Sequence, residues 1–327
     1  MNRLALAVLL TAASANAQTV RIKLGTLAPQ GSTWHQLLTQ MAADFSKESG
    51  GKVELKIYAG GTQGSEGEMI RKISIGQLQG ASMTSVGLHE ITPEPQVEDI
   101  PSLIDSYEEY DYVHAKIVGK LNAALEKKKF VALQWGEVGF VYLFSTEPYK
   151  TPLDFGKGKV FTWNGDPGAE AAWKAAGFHP VVLSSTDLVP SLTSGMINTI
   201  SEPPLYAYTT NLYSKAGNML DLHWGFLTGA TVVRRDVWEK IPSDLRPKLL
   251  KIAADYEKKV RDDVRKQNED AIEQMKKRGL KINSPGDVQD WQRAAAAADA
   301  VIQKRVPAAF YEEVKKYRDE FRAQHRR

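Results

Sequence analysis

The sequence predicts an α/β fold of two domains. Three observations predict it. A strand, a helix and a second strand follow one another with short joints near the N-terminal end. Short β-type runs then alternate with helical stretches as far as residue 233. The length, 327 residues, suits two such domains.

Composition bounds the function. Apolar residues make up 43% of the chain and charged ones 25%, as in an ordinary globular protein. The 42 basic and 39 acidic residues are interleaved and give a formal charge of only +3, so no nucleic-acid footprint is present. With no cysteine, disulfides, thiolate metal sites, a cysteine nucleophile and a lipid-anchored cysteine are excluded. The first seventeen residues carry Arg3, an apolar run from Leu4 to Ala13 and then Ala15-Asn16-Ala17, the pattern of a secretory signal cleaved before Gln18. No later run approaches the ~18 apolar residues of a membrane span, so the mature protein is expected not to be embedded in a membrane.

The elements follow in order. Val20 to Leu24 alternates apolar and polar residues, as a half-buried strand does. Ser32 is placed to cap a helix with Trp34, Leu37, Leu38, Met41 and Phe45 on one face, and Gly50-Gly51 ends it. Val53 to Ile57 is the second strand of this βαβ unit. Gly60 to Gly67 is a glycine-rich loop without the Gly-Lys-Ser/Thr of a phosphate loop, and a helix with Met69, Ile70 and Ile73 follows. Gln79 to Ser85 is a short strand. Tyr110, Val113, Ile117, Leu121 and Leu125 stripe a helix that closes at Lys127-Lys128-Lys129, a run suited to the helix dipole.

The stretch from Phe130 to Pro167 is the expected functional centre. Its β-type runs are Phe130–Gln134, Val141–Ser145 and Lys159–Trp163, with turn residues Gly136, Gly139, Pro148, Pro152, Gly156 and Gly158 between them. Asp166 before Pro167 reads as the N-cap of the next helix. A strand feeding a helix through such a loop is where an open α/β sheet binds small molecules. Strands are then expected at Val181–Leu183, Met196–Ser201, Met219–Trp224 and Ala230–Val233, with Gly225 and Gly229 between the last two. Pro242-Ser243-Asp244 opens a long helix to about Arg278, with Glu257–Arg261 and Asp262–Lys266 as surface charge pairs. The tail from Asp287 to Arg322 is helical, docked by Val288, Trp291, Phe310, Tyr311 and Val314.

Familiar catalytic patterns are missing. There is no G-x-S-x-G, H-E-x-x-H or G-x-G-x-x-G, and none of the six histidines pairs with another at i, i+4. No cofactor and no metal is indicated. Glu66, Glu68, Glu137 and Glu202 fall in candidate cleft loops. A cap or a solvated charge is the preferred reading for Glu66 and Glu68, whereas Glu202, between a strand end and two prolines, is expected to face the cleft.

From about Val20 to Asn283 the chain resembles the periplasmic substrate-binding proteins of TRAP transporters, the tripartite ATP-independent type, in their dicarboxylate-type group. The patterns that carry the resemblance include Ile22-Lys23-Leu24-Gly25, Gly64 through Met69 leading into Ile75-Gly76-Gln77-Leu78, Trp135 then Gly139-Phe140, Pro152-Leu153-Asp154 then Gly158-Lys159, Leu188 through Gly195, Glu202-Pro203, and Trp238 through Leu245. The resemblance implies a two-domain periplasmic-binding-protein-like fold, an interdomain ligand cleft and a long helix spanning both domains. It places a signal peptide at 1–17, domain I at 18–138 with part of 230–260, domain II at 139–229, a return segment and spanning helix at 230–283, and C-terminal helices at 284–327. It implies a periplasmic protein, not an enzyme, that closes over a small organic molecule and passes it to the membrane subunits of a TRAP transporter.

One departure bears on the ligand. The family's carboxylate-gripping arginine corresponds here to Phe161, and a second family arginine to Val141; no arginine occurs between Lys72 and Arg234. A carboxylate in a dry cleft without its cation keeps its desolvation cost. A simple dicarboxylate is therefore not the expected ligand. The expected ligand-binding residues are Ser85, Trp135, Phe140, Phe161, Trp163, Asn164, Glu202, Tyr206 and Trp224, a set suited to a neutral, partly apolar or polyhydroxylated molecule, with Glu202 able to accept from hydroxyls or pair with a cation. Two alternatives stay open on the sequence: a secreted hydrolase or lyase using Glu202 or Glu137, and a ligand sensor that signals to a receptor.

Overall fold

The computed structural model describes residues 19–164 and 166–325; the expected signal peptide lies outside the described residues. The chain opens on β1 (Val20–Thr26), α1 (Thr33–Glu48) and β2 (Val53–Tyr58), then α2 (Glu66–Ser74), β3 (Gly80–Thr84), α3 (Ser85–Ile91) and α4 (Tyr107–Lys127). β4 (Phe130–Ser145) leads to α5 (Pro152–Phe155), β5 (Val160–Trp163), α6 (Pro167–Ala175), β6 (Pro180–Leu183), α7 (Leu188–Ser194), β7 (Thr199–Glu202), α8 (Pro204–Thr209) and β8 (Asn218–Leu220). β9 (Gly225–Arg234) returns the chain to α9 (Arg235–Trp238), α10 (Arg246–Lys277), β10 (Lys281–Asn283), α11 (Val288–Ile302) and α12 (Ala308–His325).

Local chemistry accounts for the element ends. Ser32 caps α1, and Ser65 with Glu68 forms a reciprocal capping box on α2. Asp166 caps α6 by accepting from the Gly168 and Ala169 amides, both at 3.0 Å.

The main sheet runs β2-β1-β3-β9-β4-β7-β5-β6. β1 is parallel to β2 and β3, while β9 is antiparallel to both β3 and β4. β4 changes partner along its length: Phe130 to Val141 pair with β9, and Tyr142 to Ser145 pair with β7. One strand thus belongs to both halves of the molecule. This corrects the expectation of two strands with a turn between. Gly136 and Gly139 are in the strand, and Gly139 serves an irregularity in register at Glu137/Gly139. Its φ of +115° suits glycine, and a Cβ there would lie 2.4 Å from Asn268 Nδ2. Gly225 and Gly229, expected between two strands, are likewise inside β9. A Cβ on Gly229 would lie 2.5 Å from the Met83 carbonyl oxygen. Ser85, read as the end of a strand, begins α3.

Apolar burial ties α10 to both halves. Leu249, Ala253, Tyr256, Val260 and Val264 pack with Ile22, Leu24, Met41 and Phe45, whereas Met275 packs with Phe144, Phe161 and Ile200. The expected charge pairs on this helix are replaced: Asp262 pairs with Lys258 at 2.5 Å, and Glu257 accepts the Trp135 backbone N–H at 3.1 Å. In the tail, Trp291, Phe310, Tyr311 and Val314 are buried as expected, but Val288, at the first turn of α11, is 52% exposed.

Asn268 of α10 is buried and joins the halves directly. Its Nδ2 donates to the Val138 carbonyl and its Oδ1 accepts from the Leu205 amide, each at 2.9 Å. Asn268→Ala leaves a buried donor and a buried acceptor unpaired and is expected to lower unfolding free energy by about 3 kcal/mol in urea titration. Breaking the exposed Lys276–Glu273 pair on the same helix is expected to cost about 0.5 kcal/mol or less.

Candidate functional site

The strand ends and helix starts of the two halves face one another across a cavity of about 110 Å³. Its aromatic walls are Trp34 at the start of α1, Trp163 at the end of β5 and Tyr206 in α8. Leu27, Leu38, Met83, Val138, Leu227 and Val260 line it with apolar surface. Its polar side chains include Gln134, Glu66, Glu137 and Glu202. Among the described residues, no lysine, arginine or histidine lines it. An adjoining cavity of about 120 Å³ shares Trp163, Glu202 and Leu227 and adds His89, Asp99, Asp166, Trp173, Trp224 and Val141.

The three carboxyls of the first cavity are held differently. Glu66 accepts from the Thr84 amide (2.7 Å), the Thr84 hydroxyl (2.8 Å) and the Gly87 amide (2.9 Å). Gly87 is needed there, because a Cβ would stand 2.8 Å from Glu66 Oε2. Burial pushes the Glu66 carboxyl up to about 7 despite those donors. Glu137 binds the Arg265 guanidinium through Nε (3.0 and 3.1 Å) and Nη2 (2.8 Å), while Arg265 also grips Asp111 at 2.6 and 2.9 Å. That guanidinium, stacked 4.5 Å from the Tyr107 ring, is occupied by protein carboxylates.

Glu202 has no such partner. It is 3% exposed, and its Oε1 is buried without a hydrogen bond. Burial pushes its carboxyl up to about 8. Gln134 Oε1 and Trp34 Nε1 on the same walls are also buried without partners.

In the adjoining cavity His89 of α3 lies 3.1 Å from Asp99 and 3.6 Å from Asp166, the cap of α6. Burial opposes its charge, but the two carboxylates outweigh it and raise the imidazole to about 9. Asp166 also binds Arg305 at 2.7 Å. Burial works against the Asp166 carboxylate, yet His89, the helix amide and Arg305 hold it well below the usual range.

Of the nine residues expected to bind ligand, the structure brings Trp163, Glu202 and Tyr206 to the first cavity, and Trp224 to the second, stacked on Trp173 at 5.3 Å. The others lie elsewhere. Ser85 is fully buried and donates to Asp99 at 2.7 Å. Trp135 is buried, with Nε1 donating to Asn122 at 2.7 Å. Phe140 packs on Tyr107, Phe226 and His223. Phe161 is core, edge-on to Trp163 at 5.5 Å. Asn164 is exposed, with its backbone bonded to the Leu183 carbonyl. The reading of Glu66 as a cap or solvated charge is corrected: it is 3% exposed and faces the cavity, while Glu68 does cap. Trp34, Gln134 and His89 were missed. Trp34 had been placed with the helix core, and nothing in the sequence set the other two apart.

Comparison with known proteins places this geometry. The model of bacterial extracellular solute-binding proteins, family 7, matches residues 24–305. The C4-dicarboxylate-binding periplasmic protein DctP of Rhodobacter capsulatus is 24% identical over 238 residues, covering 71% of this chain and 70% of that one. A TRAP periplasmic solute-binding protein from Sulfurospirillum deleyianum, solved with bound succinate, superposes with a TM-score of 0.83 at 22% identity, over 91% of this chain and 99% of the other. One from Desulfovibrio salexigens with bound orotic acid gives 0.85 at 18%, over 93% and 99%. These likenesses bear out the two-domain fold.

The raised groups fix the sign of the pH response. Glu202 and Glu66 keep protons in the folded state that the unfolded chain releases above the ordinary 4.5, and His89 keeps one between 6.5 and about 9. In all three the folded state binds more protons, so stability is present at mildly acid pH and is lost as pH rises to about 9. The melting temperature of the ligand-free protein is expected to fall from pH 5 to pH 9. Glu202→Gln is expected to flatten that fall and to raise the melting temperature at pH 8 to 9; a rise with pH in the unaltered protein would contradict this accounting.

Proposed function

The chain belongs to the bacterial extracellular solute-binding proteins of family 7, and on that premise we propose that it is exported by the leader at residues 1–17, captures a small organic molecule between its two halves, and delivers it unchanged to the membrane subunits of a TRAP-type transporter. The halves are 18–138, with part of 230–260, and 139–229. Among the described residues no helix is long and apolar enough to cross a membrane, consistent with a carrier that meets its transporter from outside. Capture rests on Trp163, Tyr206 and Glu202, which line the cavity from the second half, facing Trp34, Glu66 and Gln134 from the first.

The ligand is not a simple acid. The observation that carries this is the cavity wall itself, with three buried carboxyl groups and, among the described residues, no cation. The relatives and solved structures named above bind carboxylates, by their descriptions. A carboxylate entering this cavity would be stripped of water with no lysine, arginine or histidine on the described walls to replace its hydration. Glu137, held by Arg265, is not free to act as a catalytic base, which favours capture over turnover.

A thermal-shift screen of the mature protein over acids, polyols, aromatic compounds and amines tests this. Succinate and glucuronate are expected to leave the melting temperature unchanged, and at least one neutral or cationic compound to raise it. Trp163→Ala is expected to weaken that compound's binding by about 30-fold, near 2 kcal/mol, in calorimetry, with the fold intact. Tight binding of succinate, or unchanged affinity in Trp163→Ala and Glu202→Ala alike, would refute the assignment.

A further inference from the structure

Three residues that line one cavity each carry a buried polar atom without a partner. Glu202 Oε1 and Gln134 Oε1 are acceptors without donors, and Trp34 Nε1 is a donor without an acceptor. Buried polar atoms are almost always paired, so three on the walls of one small space describe what belongs inside it. They sit on three different elements, the end of β7, the middle of β4 and the first turn of α1. Gln134 Nε2 donates to Thr231 Oγ1 at 3.5 Å, while its oxygen has no donor.

Charge sharpens the pattern. Of the three carboxyls, Glu66 has three donors and Glu137 has Arg265, so only Glu202 awaits a partner. On β5, next to β7 in the sheet, Phe161, which the resemblance sets where the family carries an arginine, packs T-shaped against Trp163. A carboxyl lacking a protein cation, beside the aromatic faces of Trp163, Tyr206 and Trp34, is the surrounding that favours a positively charged nitrogen, through ion pairing and through the negative faces of the rings.

Resting on the solute-binding reading above, we propose that the ligand is a small organic cation: a protonated amine or amidine on an apolar body, its charged nitrogen seated on Glu202, a second donor reaching Gln134 Oε1, and one acceptor taking the Trp34 Nε1–H. At about 110 Å³ the first cavity is smaller than the ~150 Å³ that holds a benzene ring, so a ligand of this size also draws on the adjoining cavity of about 120 Å³, which shares Trp163, Glu202 and Leu227.

Binding then carries a proton signature. Glu202 must give up its proton to pair with the cation. The other titratable groups around it are Glu66, Glu137 and Tyr206 in the same cavity, and His89, Asp99 and Asp166 in the adjoining one. Affinity for an amine that stays protonated is expected to rise about tenfold per pH unit as pH increases from 6 towards 8, and then to level off. Glu202→Gln is expected to remove most of that rise, leaving the smaller part that comes from Glu66 and Glu137, which burial raises to about 7.

The test uses three probes of one shape on the mature protein: phenethylamine, its neutral alcohol counterpart 2-phenylethanol, and phenylacetate, in calorimetry at pH 6, 7 and 8. The amine is expected to bind at least tenfold more tightly than the alcohol, and phenylacetate not to bind. Glu202→Gln is expected to lose at least tenfold for the amine, to keep the alcohol within twofold, and to lose most of the pH rise; circular dichroism checks its fold. Equal binding of all three probes, preference for phenylacetate, no binding of the amine, or amine affinity unmoved in a folded Glu202→Gln would each overturn the cation. The solute-binding reading has a separate failure: Trp163→Ala and Glu202→Ala both leaving unchanged the affinity of whatever compound the broad screen finds.

Discussion

A carboxyl group buried without a partner is the condition on which this cleft turns. Taking a carboxylate out of water costs several kcal/mol unless hydrogen bonds or a cation replace the lost hydration. The protein meets that cost at four places by four means. Glu66 has backbone and hydroxyl donors, Glu137 has a shared guanidinium, Asp166 has a helix start with Arg305 and His89, and Asp99 has His89 with Ser85. Burial still raises Glu66 and Glu137 to about 7; at Glu202 the protein supplies no hydrogen bond or cation, and burial raises the carboxyl further, to about 8. The contrast among neighbours gives Glu202 its meaning. A fold that satisfies every adjacent carboxyl has left one for something outside the chain.

The same accounting explains how two halves hold one cleft. β4 is one strand serving two sheets, and the irregularity at Gly139 lets Asn268 of α10 approach its backbone closely. Asn268 bonds Val138 on one side and Leu205 on the other, so the spanning helix fixes the strand next to Glu137 and the helix that carries Tyr206. On the far side His89 of α3 stands between Asp99 and Asp166, a charged contact linking a helix of the first half to the cap of α6 in the second. Relative position of the halves is thus set by polar contacts of fixed geometry around a greasy chamber.

Much of the frame was legible because it depends on local rules. The βαβ opening, the caps at Ser32 and Asp166 and the extent of α10 follow from alternation, capping chemistry and a 3.6-residue stripe. Glu202 was legible because two prolines hold a strand end in place, and Trp163 because it ends a strand that feeds a helix. What failed needed register. Whether an aromatic residue of a strand faces the core or the cleft alternates at every position, and an irregularity reverses the count. β4 has two, at Ala132/Gln134 and Glu137/Gly139, so Trp135 and Phe140 could not be assigned to a face, while Gln134 went unnoticed. Glu66 misled because a carboxylate in a first helical turn usually caps or faces water. Here the turn from β3 into α3 wraps it, and only the tertiary fold brings Thr84 and Gly87 there.

Phe161, which the resemblance sets where the family carries an arginine, does more than lack a charge. The ring packs in the core with Phe144, Leu188, Ile200 and Met275, at 65° to the ring of Trp163, which lines the cavity. A missing cation matters in a medium where interactions are only weakly screened. The carboxyls that remain do not change sign with it. With no cation on the described walls of the cavity, the proposed preference for a positively charged guest rests on Glu202, the one of its three carboxyls without a partner in the protein.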